Sequence, residues 1–206
     1  MTRATAGRRT RVLLVGVGGQ GVVTAAEVLG LAAQDASLHV TIGQLHGMAQ
    51  RGGSVEGAVV IGPGETAFIG PAEADFVVGF EPLETLRVLP RMHAATVVLV
   101  NTGRIAPFAL ARSGRAYPAL AEIVAPLRAV TLHVQEIDGP TIVEQTGEQR
   151  TLNMGLLGAL VGLGALPFGL ASLERAITER YADGFRAANL HAARLGAAGA
   201  QRMVES

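Results

Sequence analysis

The strongest constraint on the fold lies near the amino terminus. A short apolar run, Arg11-Val12-Leu13-Leu14-Val15, stops at Gly16-Val17-Gly18-Gly19-Gln20-Gly21. Such a run reads as a buried strand, and the glycines that stop it let the backbone turn tightly. Small and apolar residues then recur at helical spacing (Val22, Val23, Ala26, Leu29, Leu31, Ala33), predicting a helix over 20–35. Strand, Gly16-x-Gly18-x-x-Gly21 turn and helix, in that order, open a Rossmann-like sheet. Bare amides at the start of the helix suit an anion, and open α/β sheets bind ligands beyond the carboxyl ends of their strands.

The rest of the chain alternates in the same way. Strands are expected at His39–Ile42, Asp75–Phe80, Thr96–Val100 and Thr131–Ile137, and Ser54–Ile61 reads as a further strand or hairpin arm. Helices are expected over 82–92, from Tyr117-Pro118 to about 128, and then over 141–147, 153–164, 170–181 and 184–203. This pattern predicts an α/β, Rossmann-like, largely parallel sheet flanked by helices, with a C-terminal helical layer. A single domain over 11–206 follows a tail, 1–10, expected to be disordered; no linker or repeat marks a further boundary.

A second glycine-rich loop, expected over 43–53, carries Gln44-Leu45-His46-Gly47-Met48-Ala49-Gln50-Arg51-Gly52-Gly53-Ser54. Arg51, flanked by Gln50, Gly52, Gly53 and Ser54, has the makings of a carboxylate or phosphate cradle. The plainer alternative is a surface arginine between turn glycines. His46 is a candidate acid–base group, although with no evident carboxylate partner it reads as orienting or structural. Asn101 would sit at the carboxyl edge beside Gly18, Gly19, Gln20 and Gly21, either at the site or as a cap. Against a dinucleotide, the ribose-binding acid expected about 20 residues after the fingerprint is missing. Gly43-Gln44 holds that place, and Asp35 precedes the strand. His39, His93, His133 and His191 have no metal-ligand spacing, and Arg175, Glu179 and Arg180 read as a solvated helix face.

Composition removes whole classes of chemistry. With no cysteine, the chain has no disulfide, no thiolate nucleophile and no cysteine-ligated iron–sulfur cluster. All 17 basic residues are arginine, so a P-loop lysine or a Schiff-base lysine is also excluded. Zero formal net charge gives no reason to expect nucleic acid or an anionic membrane. The uncharged stretch 151–173 is broken by glycines and Pro167, and its helix falls short of the roughly 20 residues a bilayer needs. No signal peptide is evident, and a cytoplasmic protein is expected.

Taken together, the two loops resemble the gamma-type domain of the 2-oxoacid:ferredoxin oxidoreductases, in the indolepyruvate branch. The residues that carry this are Gly16-Val17-Gly18-Gly19-Gln20-Gly21 and His46-Gly47-Met48-Ala49-Gln50-Arg51-Gly52-Gly53-Ser54-Val55. Glu81-Pro82-Leu83-Glu84, Asn101-Thr102, Tyr117-Pro118, Asn153-Met154-Gly155-Leu156 and Asn189-Leu190-His191 are similar too. Gln44 departs from the acidic residue usual in that branch two positions before the histidine. The resemblance implies a subunit that is inactive alone and binds neither metal nor cofactor itself. Thiamine diphosphate, magnesium and iron–sulfur clusters would reside on an alpha-type partner, with coenzyme A as co-substrate and ferredoxin as electron acceptor. The complex would oxidatively decarboxylate aryl 2-oxoacids, and this chain would help to close the cleft. Two alternatives are a stand-alone Rossmann-type nucleotide-binding protein and a purely structural assembly subunit.

Overall fold

A computed structural model describes residues 9–46, 53–105, 110 and 116–205. Its centre is a six-stranded sheet of order β2-β3-β1-β4-β5-β6. The strands are β1 (Thr10–Val17), β2 (Val40–His46), β3 (Ser54–Ile61), β4 (Phe76–Gly79), β5 (Val97–Asn101) and β6 (Val134–Ile137). β1, β4, β5 and β6 pair in parallel, whereas β3 runs antiparallel to both β1 and β2. Five strands therefore share one direction and β3 alone reverses, which makes the sheet mixed. This reversal brings the end of β2 and the start of β3 to the same carboxyl edge as the turn after β1.

Alternation along the strands gives the sheet two buried faces. Val12, Leu14, Val59, Ile61 and Val78 face one layer of helices: α1 (Val22–Asp35), α5 (Leu152–Gly162), α6 (Leu170–Arg180) and α7 (Asp183–Glu205). Leu13, Val15, Val60, Val77 and Val98 face the other layer, with Leu127 of α3 (Leu120–Val130) and Val88 beyond α2 (Pro82–Arg87). The remaining helix, α4 (Gly139–Thr146), follows β6, with Asp138 as its N-cap.

Several boundaries differ from those expected, each for a physical reason. β2 runs on through Gly43 to His46, so the second loop begins later than 43. Gly43 is a strand glycine because a Cβ there would lie 2.9 Å from the Cβ of Ala67, in a segment that covers β2. The helix expected over 82–92 is α2 followed by a separate 3-10 turn, Leu89–Arg91, where Pro90 has no amide to continue the ladder. β6 begins only at Val134, because Thr131 turns its hydroxyl onto the Thr96 carbonyl at 2.7 Å.

The uncharged stretch 151–173 contains α5, whose residues 152–161 are all buried. No helix among the described residues is long and apolar enough to cross a membrane. α5 instead packs almost backbone to backbone on α7. A Cβ on Gly158 would strike the Ala193 carbonyl, and one on Gly196 would strike the carbonyl of Gly155. The face of α6 expected to be solvated serves as a latch. Arg175 holds both oxygens of Asp35 at 2.7 and 2.6 Å, and Arg180 lies 3.6 Å from Glu27, so α6 is tied to α1. Asp35, the acid nearest the dinucleotide position, is thus engaged at the far end of α1, with the Arg175 guanidinium holding its carboxyl down at about 2.

Candidate functional site

After Val17 the chain turns through Gly18, Gly19, Gln20 and Gly21 into α1. Gly19 has φ +104° and would have nothing within 4 Å of a Cβ, so its backbone is open to approach. Gly21 is the left-handed N-cap of α1 at φ 76°, and a Cβ there would lie 2.6 Å from Asn153 Nδ2. Gln20 is spent on the backbone. Its Oε1 accepts the Val17 amide at 2.8 Å, and its Nε2 donates to the Phe80 carbonyl at 2.9 Å. Gly16 is bare because a Cβ would meet Gln20 Oε1 at 2.7 Å.

Asn101, buried at the end of β5, donates from Nδ2 to the same Phe80 carbonyl at 2.9 Å. Its Oδ1 accepts the Gly103 amide at 3.1 Å. One carbonyl after β4 thus takes bonds from the turn after β1 and from the end of β5, which fixes three strand ends against one another. Asn101 therefore lies at the carboxyl edge as expected, with its amide engaged in holding that edge.

The two glycine loops meet. The Gly18 amide donates to the Gly53 carbonyl at 2.8 Å, continuing the β1–β3 ladder in which Val17 faces Ser54. Ser54 is exposed there, and the His46 main chain ends β2 opposite Val55. Gln50, Arg51 and Gly52 lie outside the described residues, as does the His46 side chain.

Beside this edge runs a groove of two contiguous cavities that share Gln20, Ile105, Gln149 and Leu152. One, of about 540 Å³, lies over Gly18–Gly21 and is walled by Asn153, Tyr181, Asn189, Arg150 and Arg180. The other, of about 380 Å³, reaches Asn101, Gly103, Arg104 and Glu144. Asn189 is buried, and its Oδ1 has no hydrogen-bond partner among the described residues. Arg150 is paired with Glu148 at 3.1 Å and stacks on Phe185 at 4.7 Å. A larger concavity, about 1170 Å³, opens at the opposite edge around His39 and His93, and none of the described residues of either glycine loop lines it.

Just below the groove lies a buried carboxylate. Glu81, fully buried, caps α2 by accepting the Glu84 amide at 3.0 Å and accepts a hydrogen bond from the Tyr117 hydroxyl. Burial pushes the Glu81 carboxyl up, against the pull of these bonds. Burial and the facing Glu81 push the Tyr117 phenol up as well, so it stays a neutral donor. Glu81 and Tyr117 were visible only as parts of short motifs; a contact across 36 residues has no local signal. Arg104, Arg150 and Arg180 carry no motif at all. Among the described residues no group of His, Asp or Glu side chains is arranged to hold a metal ion.

The family model for the pyruvate ferredoxin/flavodoxin oxidoreductases matches residues 11–199, nearly the whole chain. The chain belongs to this family. A relative from Archaeoglobus fulgidus, indolepyruvate oxidoreductase subunit IorB, is 37% identical over 188 residues, covering 91% of this chain and 94% of that protein. The pyruvate oxidoreductase subunit PORC of Thermotoga maritima superposes with a TM-score of 0.69 at 23% identity, over 93% of this chain and 96% of that one. The 2-oxoglutarate:ferredoxin oxidoreductase of Magnetococcus marinus, solved with 2-oxoglutarate, coenzyme A and succinyl-CoA bound, has a TM-score of 0.73 at 18% identity. The match covers 95% of this chain but only 31% of that one. This member of the oxidoreductase family thus corresponds to a small subunit of a 2-oxoacid:ferredoxin oxidoreductase.

Proposed function

We propose that the chain is the small subunit of an aryl 2-oxoacid:ferredoxin oxidoreductase of the indolepyruvate kind. Its glycine-loop edge forms one wall of the active-site cleft and meets the acyl acceptor, coenzyme A. The complex converts 2-oxoacid and coenzyme A to acyl-CoA and carbon dioxide, passing two electrons to ferredoxin. Thiamine diphosphate, held with magnesium on an alpha-type partner, supplies the electron sink for decarboxylation. A cysteine-ligated iron–sulfur cluster cannot form on this chain, which has no cysteine.

The observation that carries the reading is the junction of the two loops by the Gly18–Gly53 bond, beside the open backbone of Gly19 at the turn into α1. Amides at a helix N-terminus stabilise a phosphate, and open glycine backbone lets it approach. The name borne by the Archaeoglobus relative supports indolepyruvate as the 2-oxoacid. Arg51 remains the anion-binding candidate of the second loop. Arg51→Ala is expected to raise KM for coenzyme A or for the 2-oxoacid.

Co-expression with the thiamine-dependent partner tests the reading, with a viologen dye as acceptor. Only the mixture, and neither protein alone, should oxidise indolepyruvate or phenylpyruvate in the presence of coenzyme A. Two proteins that neither associate nor gain activity would overturn it.

A further inference from the structure

Glu81, Tyr117 and Arg104 form a chain of contacts that the role proposed for the glycine loops does not use. Glu81 is fully buried and its carboxylate receives the Tyr117 hydroxyl, so the phenol ring is pinned from below. Over the exposed side of that ring stands the Arg104 guanidinium, 5.7 Å from its centroid. Arg104 itself is exposed and lines the second cavity of the groove with Asn101 and Gln20. It follows directly on the Asn101–Gly103 turn at the end of β5, so it is tethered at the base as well as by the ring.

Among the described residues, the other arginines that line the groove are committed. Arg150 pairs with Glu148 and Arg180 with Glu27. No ion pair joins Arg104 to a described carboxylate, although Glu144 shares the cavity wall. A guanidinium that stacks on a fixed aromatic ring loses rotamer freedom before any ligand arrives and keeps its N–H fork free. That is the arrangement of a preorganised anion receptor.

We infer that Arg104, held in place by the Glu81–Tyr117 pair, is an anion-recognition residue of the groove, binding a carboxylate or phosphate group of a substrate. The inference rests on the carboxyl-edge groove being the substrate site. Two sources can supply the anion: the 2-oxoacid carboxylate or a phosphate of the acyl acceptor. Arg104 binds the anion directly, whereas Tyr117 and Glu81 are positioning residues that act through it.

The test uses the reconstituted complex with Arg104→Ala, Arg104→Lys and Tyr117→Leu, measuring kcat and KM separately for 2-oxoacid and for coenzyme A. Losing one charge-assisted bond is expected to raise one of the two KM values by about tenfold to a hundredfold, with kcat little changed. The substrate whose KM moves identifies the anion. Arg104→Lys should recover part of the loss, and Tyr117→Leu should shift the same KM by less. In a second arm, inorganic pyrophosphate and indole-3-acetate are titrated calorimetrically into the wild-type and Arg104→Ala complexes. Weaker binding of one probe to the variant is expected even if turnover is lost for another reason. Unchanged KM values in an active complex overturn the role of Arg104, as does equal binding of both probes. A wild-type complex without turnover overturns the proposed function instead, and the calorimetric arm still decides the inference.

Discussion

Glycine does opposite work in two parts of this molecule. At the turn after β1, Gly19 faces space, with no atom within 4 Å of where a Cβ would be. Between α5 and α7, the places of the missing side chains at Gly158 and Gly196 are filled by the carbonyls of Ala193 and Gly155 on the facing helix. The first glycine is bare toward open space, and the second pair is bare toward the protein's own backbone. A glycine-rich sequence thus carries two meanings, and only the neighbour at each position separates them.

The widest split between the two regions should come from Gly196→Ala. The new methyl would collide with a main-chain carbonyl that has no rotamer to change, so the cost should reach the upper end of overpacking, about 3 kcal/mol. For a chain of this size that is a fall in melting temperature of about 10 °C by calorimetry. A variant that melts within a degree or two of wild type would break the account of the α5–α7 contact. Gln20→Ala comes next, because it strands the Val17 amide and removes one of two donors from the Phe80 carbonyl. About 2 kcal/mol should be lost in urea unfolding. An unaltered midpoint would mean that the clamp on the three strand ends contributes nothing.

Gly19→Ala should cost less stability, about 1–2 kcal/mol, since only its positive φ opposes the change. Its larger effect should fall on KM in the assembled enzyme, and a stability loss matching that of Gly196→Ala would erase the distinction between the regions. The smallest effect concerns the latch between α1 and α6. Asp35 is held at about 2 against an ordinary 3.8, so its pairing adds stability above about pH 4 that disappears as pH falls through about 2. In Arg175→Ala, the Asp35 carboxyl followed by carbon NMR should titrate close to its ordinary value. An unmoved titration would assign the shift to another group.

Much of the fold was legible because it depends on local pattern. The β1 run, its glycine stop and the small-residue helix after it are contiguous, and each signal agrees with the next. The extent of β2 was not legible. Gly43 looks like a loop residue until Ala67, from a segment more than twenty positions on, is seen to need its space. The reversal of β3 was only half legible, since a hairpin arm and a parallel strand share one alternation. At the site, Gly18–Gly21 and Asn101 fall where the motif places them, but Gln20 turned inward because its partner, the Phe80 carbonyl, comes from another strand end. The Glu81–Tyr117 pair and the arginines around the groove arise from tertiary assembly and left only fragments in the sequence.

The most direct test of the central claim is hydrogen exchange on the reconstituted complex, with and without coenzyme A, followed by peptide. The claim is that the carboxyl-edge glycine turn faces the ligand while the α5–α7 glycines serve only packing. Amides of residues 18–22 should then gain protection when coenzyme A is added, while peptides from α5 and α7 exchange as before. Protection that appears only in α5 and α7, or nowhere, would contradict the assignment of this edge as the cleft wall.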